Sequence, residues 1–239
     1  MISSIFSHCI HDKIQRNTTF MTSNLDENFI LKIKSDLNSK NLIEKKKFEQ
    51  EIYEPIRIQF VTTTILNDNK EFFCKSKGDK FKTGIPENDQ KLCKSRIPGD
   101  FENCWDNCQK EDILSLEDSE YIERILLKLS NFVSNLIKVI PVSTPFCFGD
   151  SYCGRAGVQI PDSDKCGNGS ISKTDIQVYI TSRPTPEQVL AFSTFCAVST
   201  GLERPIAAWI NIAPNLLDKT KFTEEMMLSI LKHGNLKII

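Results

Sequence analysis

Ser119-Glu-Tyr-Ile122-Glu-Arg-Ile125-Leu126-Leu-Lys-Leu129-Ser-Asn-Phe132-Val133-Ser-Asn-Leu136-Ile137-Lys-Val-Ile-Pro141 decides the fold class. Its apolar residues recur at three- and four-residue steps, which predicts one long helix over 118–139 with a single apolar stripe. Ser119 is placed to cap it and Pro141 to end it. A stripe of that length needs a sheet to cover. Asp175-Ile-Gln-Val-Tyr-Ile-Thr-Ser182 and Ile206-Ala-Ala-Trp-Ile-Asn-Ile212 read as strands, and Pro55-Ile-Arg-Ile-Gln-Phe-Val-Thr62 as another. In that last segment Ile56, Ile58 and Phe60 alternate with Arg57, Gln59 and Val61, which gives one buried face. The segment from Thr185 to Phe192 reads as a helical turn. The order strand, helix, strand, strand, helix predicts an α+β domain with helices packed on a mixed sheet.

At 239 residues the chain can hold one large or two small domains. A net charge of −1 provides no field to draw it to nucleic acid or to an anionic membrane. No stretch of 18 apolar residues occurs, so no helix is long and apolar enough to span a bilayer. Residues 10 to about 52 are polar and charged and include Lys45-Lys46-Lys47. Leu25, Phe29, Ile30, Ile33 and Leu37 allow a helix over 26–39, either in an extension or pro-segment rather than a core, or as a solvated surface helix.

Nine cysteines are many for a protein kept in a reducing compartment. Most lie in loops rich in Gly, Asp and Asn, which suits disulfides better than buried thiols. Cys104-x-x-x-Cys108 has a tolerable zinc-ligand spacing, but no second pair of that form follows. The odd count leaves at least one thiol unpaired. Asn17-Thr-Thr and Asn168-Gly-Ser are glycosylation triplets and agree with secretion, although such triplets are common by chance. The opening Met1-Ile-Ser-Ser-Ile-Phe lacks the basic and apolar regions of a leader, so the cysteines predict a leader missing from this sequence.

A final helix begins at Thr223, with Glu224 and Glu225 suited to its first turn, and reaches Lys232-His233-Gly234-Asn235-Leu236-Lys237. Two histidines at i and i+4 on one helix face can share a zinc ion, and a glutamate after the first can act on bound water. Here only His233 is present. Gly234 stands where that glutamate would be, and Lys237 where the second ligand would be.

Several collinear stretches resemble leishmanolysin, the zinc endopeptidase family of the metzincin clan, and most of all its divergent protist members. They are Ser7-His-Cys9-Ile-His-Asp-Lys-Ile-Gln15, Pro55-Ile-Arg-Ile58, Cys108-Gln-Lys-Glu-Asp-Ile-Leu114 with the long helix and its exit Ile137-Lys-Val-Ile-Pro-Val142, then Cys153-Gly154, Thr174–Pro184, Leu190–Cys196 and Arg204–Ile212. The resemblance implies a pro-segment over 1–52 and the N-terminal half of a zincin-like peptidase domain over 53–239, with the C-terminal half absent. It implies zinc as the family cofactor, peptide or protein substrates, and a secreted or cell-surface location. Membrane association is possible in the family. It also implies bridges Cys74–Cys108 and Cys153–Cys196, and Cys9 as a zinc-blocking pro-segment thiol. Cys93, Cys104, Cys147 and Cys166 receive no partner from it.

Of the family's metal ligands His233 alone matches, so this chain is not expected to bind zinc. The reading is a truncated leishmanolysin-like metalloendopeptidase, inactive as written. The alternative is a non-catalytic secreted module, a pseudo-protease that binds a peptide or partner.

Overall fold

The long helix, α1, runs Leu116–Leu136. Its cap is Ser115 rather than Ser119. The Ser115 hydroxyl accepts the Asp118 N–H, and the Asp118 carboxylate accepts the Ser115 N–H, a reciprocal capping box. Ser119 lies buried within the first turn. The helix also stops three residues before the predicted end. Ile137 is already extended, and Lys138–Val139 forms a short strand. The apolar periodicity ran on past the helix because Ile137 and Val139 pack against the same core.

The computed structural model describes residues 53–68, 71–82, 105–149, 152–153, 158–185, 189–199 and 201–235. The expected 26–39 helix, the 1–52 segment, Cys9, Cys93, Cys104 and Lys237 lie outside them. The strands are β1 (Glu54–Pro55), β2 (Ile58–Val61), β3 (Lys80–Lys82), β4 (Trp105–Asn107), β5 (Lys138–Val139), β6 (Tyr152–Cys153), β7 (Val158–Gln159), β8 (Ile176–Thr181), β9 (Ala191–Ser199) and β10 (Arg204–Ile212). A second helix, α2, spans Glu224–Asn235.

The main sheet has the order β2-β8-β10-β9. β2 and β10 run parallel to β8, and β9 runs antiparallel to β10. This is the mixed sheet of an α+β domain. Pairing β1 with β5 brings the chain leaving α1 back alongside the entry to β2. Three smaller two-stranded ladders accompany the main sheet: β1-β5, β3-β4 and β6-β7.

One strand differs from the sequence reading. Ala191–Ser199 is the long strand β9, and Phe192 belongs to it rather than to a helical turn. Ala, Ser, Thr and Cys dilute the apolar alternation there. Pairing supplies what periodicity does not: β9 registers along β10 from Ala191↔Ile212 to Arg204↔Ser199, with an irregularity near Ala207.

Parity sorts the core. Ile176, Val178, Ile180, Ala208, Ile210 and Ile212 meet α1 through Ile122, Ile125, Leu126, Leu129 and Val133. The other sheet face carries Tyr179, Ala207 and Trp209, which pack with Phe192, Val158, Ile160, Cys153 and Val189. A layer of loops therefore covers the side opposite α1. With both faces covered, β8 is buried at all six positions, polar Gln177 and Thr181 included.

Asp175 precedes β8 and its side chain is 0% exposed. It accepts the Arg57 N–H, Arg57 Nε and Nη2, and the Val142 N–H. Burial works to raise its carboxyl pKa, but the hydrogen bonds from the Arg57 side chain, Val142 and the Arg57 backbone, together with the Arg57 charge, hold it below the usual value.

Two outcomes follow from these contacts. Ser115→Ala is expected to lower stability by about 1 kcal/mol, while a comparable loss from Ser119→Ala alone would contradict the cap; urea midpoints at unchanged m-value measure both. Asp175→Asn is expected to lose roughly 2–4 kcal/mol, less than a fully buried pair because Arg57 is 34% exposed. Because its folded pKa is depressed, the stability from Asp175 is present above the unfolded value of about 3.9 and is lost as pH falls through the lower folded value. An acid transition identical in the wild type and the Asn variant contradicts this assignment.

Candidate functional site

α2 is built from its own apolar stripe. Met227 and Leu231 are fully buried, with Leu228 and Ile230 partly so, and the helix packs on α1 and β9. Thr223 caps it: its hydroxyl accepts the Met226 N–H at 3.3 Å and its carbonyl accepts the Met227 N–H at 3.0 Å. Lys128 of α1 pairs with Glu224 of α2, and Lys219, in the segment before α2, pairs with Glu117 of α1. Lys232 lies over the Phe132 ring at 3.9 Å.

His233 is exposed in the last turn of α2. It is two residues beyond Leu231, about 200° around the helix from that buried stripe. Gly234 continues the helix without a side chain. Among the described residues, no group of three or more His, Cys, Asp or Glu stands together as a metal site. A zinc site takes three or four protein ligands. A single solvent-facing imidazole, followed by glycine and then a cation at the fourth residue on, does not fit that donor set.

The cysteines are brought together in pairs. Cys74 is bridged to Cys108, Cys153 to Cys196, and Cys147 to Cys166. The third pair had no partner assigned from sequence. Its ends are neighbours because Phe146 bridges to Ile171 and Phe148 to Lys165, which lays the two loop strands side by side. Cys74, Phe81 and Cys108 form a small separate core under the β3–β4 hairpin.

The most polar buried region was not singled out in the sequence. At the C-terminal ends of β8 and β10, Thr181 donates to Asn211 Oδ1 and accepts from Trp209 Nε1 at 2.7 Å. Asn211 also accepts the Arg183 N–H and donates to the Arg183 carbonyl. Arg183 is 1% exposed and pairs with Asp68 through Nε at 2.5 Å and Nη2 at 2.9 Å. Its guanidinium lies 3.9 Å from the Phe72 ring centroid and 5.2 Å from that of Trp209. These groups satisfy one another, so the region reads as a structural lock rather than a ligand site. Arg-Pro following an apolar strand was its only sequence signal.

A second buried carboxylate, Asp164, accepts from Gln177 Nε2 and Tyr179 Oη, each at 3.0 Å. Burial first, then the Asp164 charge and hydrogen bond, push the Tyr179 phenol far above its ordinary pKa. It stays a neutral donor and is not a candidate base.

No helix among the described residues is long and apolar enough to cross a membrane. Among the described strands β9 is the last in the main sheet order; it carries the Cys196 bridge, with α2 packed beside it. An antiparallel end strand with a helix beneath it, reached by a long helix and two parallel strands, is the arrangement these sequence stretches build. The sequence profile of leishmanolysin matches residues 7–234, almost the whole chain and up to the residue after His233. The chain belongs to the leishmanolysin family of zinc metalloproteases.

Proposed function

We propose that this chain is a non-hydrolysing, secreted or cell-surface member of its family that binds a peptide or protein partner. The carrying observation is the run His233-Gly234-Asn235-Leu236-Lys237. Hydrolysis by a metal-held water needs a base beside it and a set of neutral or anionic ligands around the ion. Gly234 offers no base. Lys237 offers a cation, which repels a divalent ion unless it gives up its proton.

Partner binding makes no demand on a metal, because peptide recognition can rest on main-chain hydrogen bonds and side-chain pockets alone. In this reading residues 1–52 form a pro-segment. Cys9 is then a free thiol with no zinc to ligate. The near-neutral charge and the three bridges suit an extracellular peptide partner rather than nucleic acid.

The full chain is expected to leave casein and gelatin intact with or without added zinc, while its amide exchange slows when an unstructured peptide is added. Zinc-dependent cleavage abolished by a chelator, in protein free of contaminating protease, would restore the family's hydrolytic activity to this chain. Exchange unchanged by the peptide would remove the binding reading.

A further inference from the structure

The turn over residues 165–170 sits on the loop layer opposite α1 and α2, because its neighbour Asp164 bonds to Gln177 and Tyr179 on that face of β8. Two of its residues are dictated by backbone geometry. Gly167 takes φ +90°, a conformation that L side chains rarely adopt. A Cβ at Gly169 would stand 1.9 Å from the Ser163 carbonyl oxygen, so only glycine fits there. The N–H groups of Asn168 and Gly169 both donate to the Lys165 carbonyl, at 3.1 and 3.0 Å, which closes the turn through main-chain atoms alone.

Asn168 and Ser170 are not explained this way. Asn168 does not occupy the left-handed region, which among non-glycine described residues holds only Lys173 and Glu203. Both side chains are exposed. Neither makes a side-chain hydrogen bond within the described residues. The fold therefore requires the glycines of Gly167-Asn168-Gly169-Ser170 and leaves the asparagine and the serine to solvent. Those two, with a non-proline residue between them, are the acceptor triplet of N-glycosylation.

We propose that Asn168 is an N-glycosylation site that receives an oligosaccharide from a lipid-pyrophosphate-linked donor in a secretory compartment. The inference rests on the secretory reading, for which the Cys147–Cys166 bridge beside the turn is the nearest support. In the transfer, Asn168 Nδ2 forms a bond to the anomeric carbon of the sugar and gives up one proton. The bond from that carbon to the pyrophosphate oxygen breaks, and the lipid pyrophosphate leaves. Nothing is oxidised or reduced. The Ser170 hydroxyl, two residues on, is the group the transferring enzyme reads. A glycan here projects from the loop layer and leaves the faces of α1 and α2 clear.

The test uses the full chain behind a cleavable leader in a eukaryotic secretory host, taken from both the medium and the lumenal membrane fraction. Peptide mass mapping is done before and after peptide-N-glycosidase treatment, and thiols are alkylated first to report the bridges. Hexose and N-acetylhexosamine on the Asn168 peptide are expected, with the asparagine converted to aspartate on release. Asn168→Gln and Ser170→Ala are expected to lose the glycan at this peptide and Ser170→Thr to keep it. Neither position packs on the core, so these variants should fold as the parent does. Bridged protein with a bare Asn168 peptide overturns the site. Free thiols at Cys74, Cys147 and Cys153 overturn the secretory reading beneath it. Modification of Asn17 alone, on bridged protein, counts against Asn168 and in favour of the route.

Discussion

Three chain segments meet on one carboxylate that water does not reach. Asp175 stands at the entry to β8, Arg57 precedes β2, and Val142 follows the exit from α1. Arg57 donates to both Asp175 carboxylate oxygens, and the Val142 N–H donates to one of them. Arg204, at the start of β10, adds a bond to the Asp175 carbonyl at 2.9 Å and reaches the carboxylate at 3.4 Å. The registers of β2, β8 and β10 are thus set at one end by a single ionic node. Parallel strands have no hairpin to fix their register, so some such device is required. An apolar residue in its place would fill the space but would leave the Arg57 and Val142 donors without acceptors.

The opposite end of the sheet is locked by a different mixture. Arg183 is held between the Phe72 and Trp209 rings while Asp68 neutralises it. Lys82 continues the alternation, 5.8 Å from the Phe72 centroid and 5.2 Å from that of Trp105, with Glu71 at 3.1 Å. Cations and rings alternate from the β3–β4 hairpin into the sheet core. Stacking and a bidentate carboxylate together offset the desolvation that makes a buried guanidinium costly alone. The Cys74–Cys108 bridge closes the hairpin, and Cys153–Cys196 ties the loop layer to β9. Each of the three bridges lowers the entropy of the unfolded chain by an amount equivalent to about 3–4 kcal/mol in the chain-entropy model, before strain. The overlap of 147–166 with 153–196 makes these figures less than additive. Among the described residues the helical layer has no bridge and depends on its stripe. The loop layer has few apolar residues and depends on its cysteines.

What the sequence disclosed follows this division. α1, β2, β8 and β10 were readable because each carries a long apolar pattern of one period. The ends were less so. Ser115 and Ser119 have the same side chain, and only the Asp three residues after Ser115 separates them. β9 was hidden because its burial comes from pairing with β10, and Ala, Ser and Thr carry little periodicity. The Cys147–Cys166 bridge depended on two isolated backbone pairings that no local signal announces. Arg183 and Asp68 are 115 residues apart in the chain, so their lock could not be read without the fold. The candidate site has the reverse character. His233, Gly234 and Lys237 were plain as residues, and the structure adds that His233 lies off the buried stripe of α2.

That last placement explains how, on the proposed reading, such a chain keeps its fold without the family's chemistry. α2 is held by Met227 and Leu231 in the core, by Thr223 at its start, and by Lys232 on Phe132. None of these contacts involves His233 or the residue after it. Replacing a glutamate by glycine near the end of a helix costs about 1 kcal/mol in helix propensity. A zinc ion coordinated there would add binding free energy to the folded state, but this helix is already anchored through another face. Stability and catalysis are therefore carried by different residues of the same twelve-residue helix. On the proposed reading, Gly234 and Lys237 bear on hydrolysis, while the contacts that fold α2 lie on other residues.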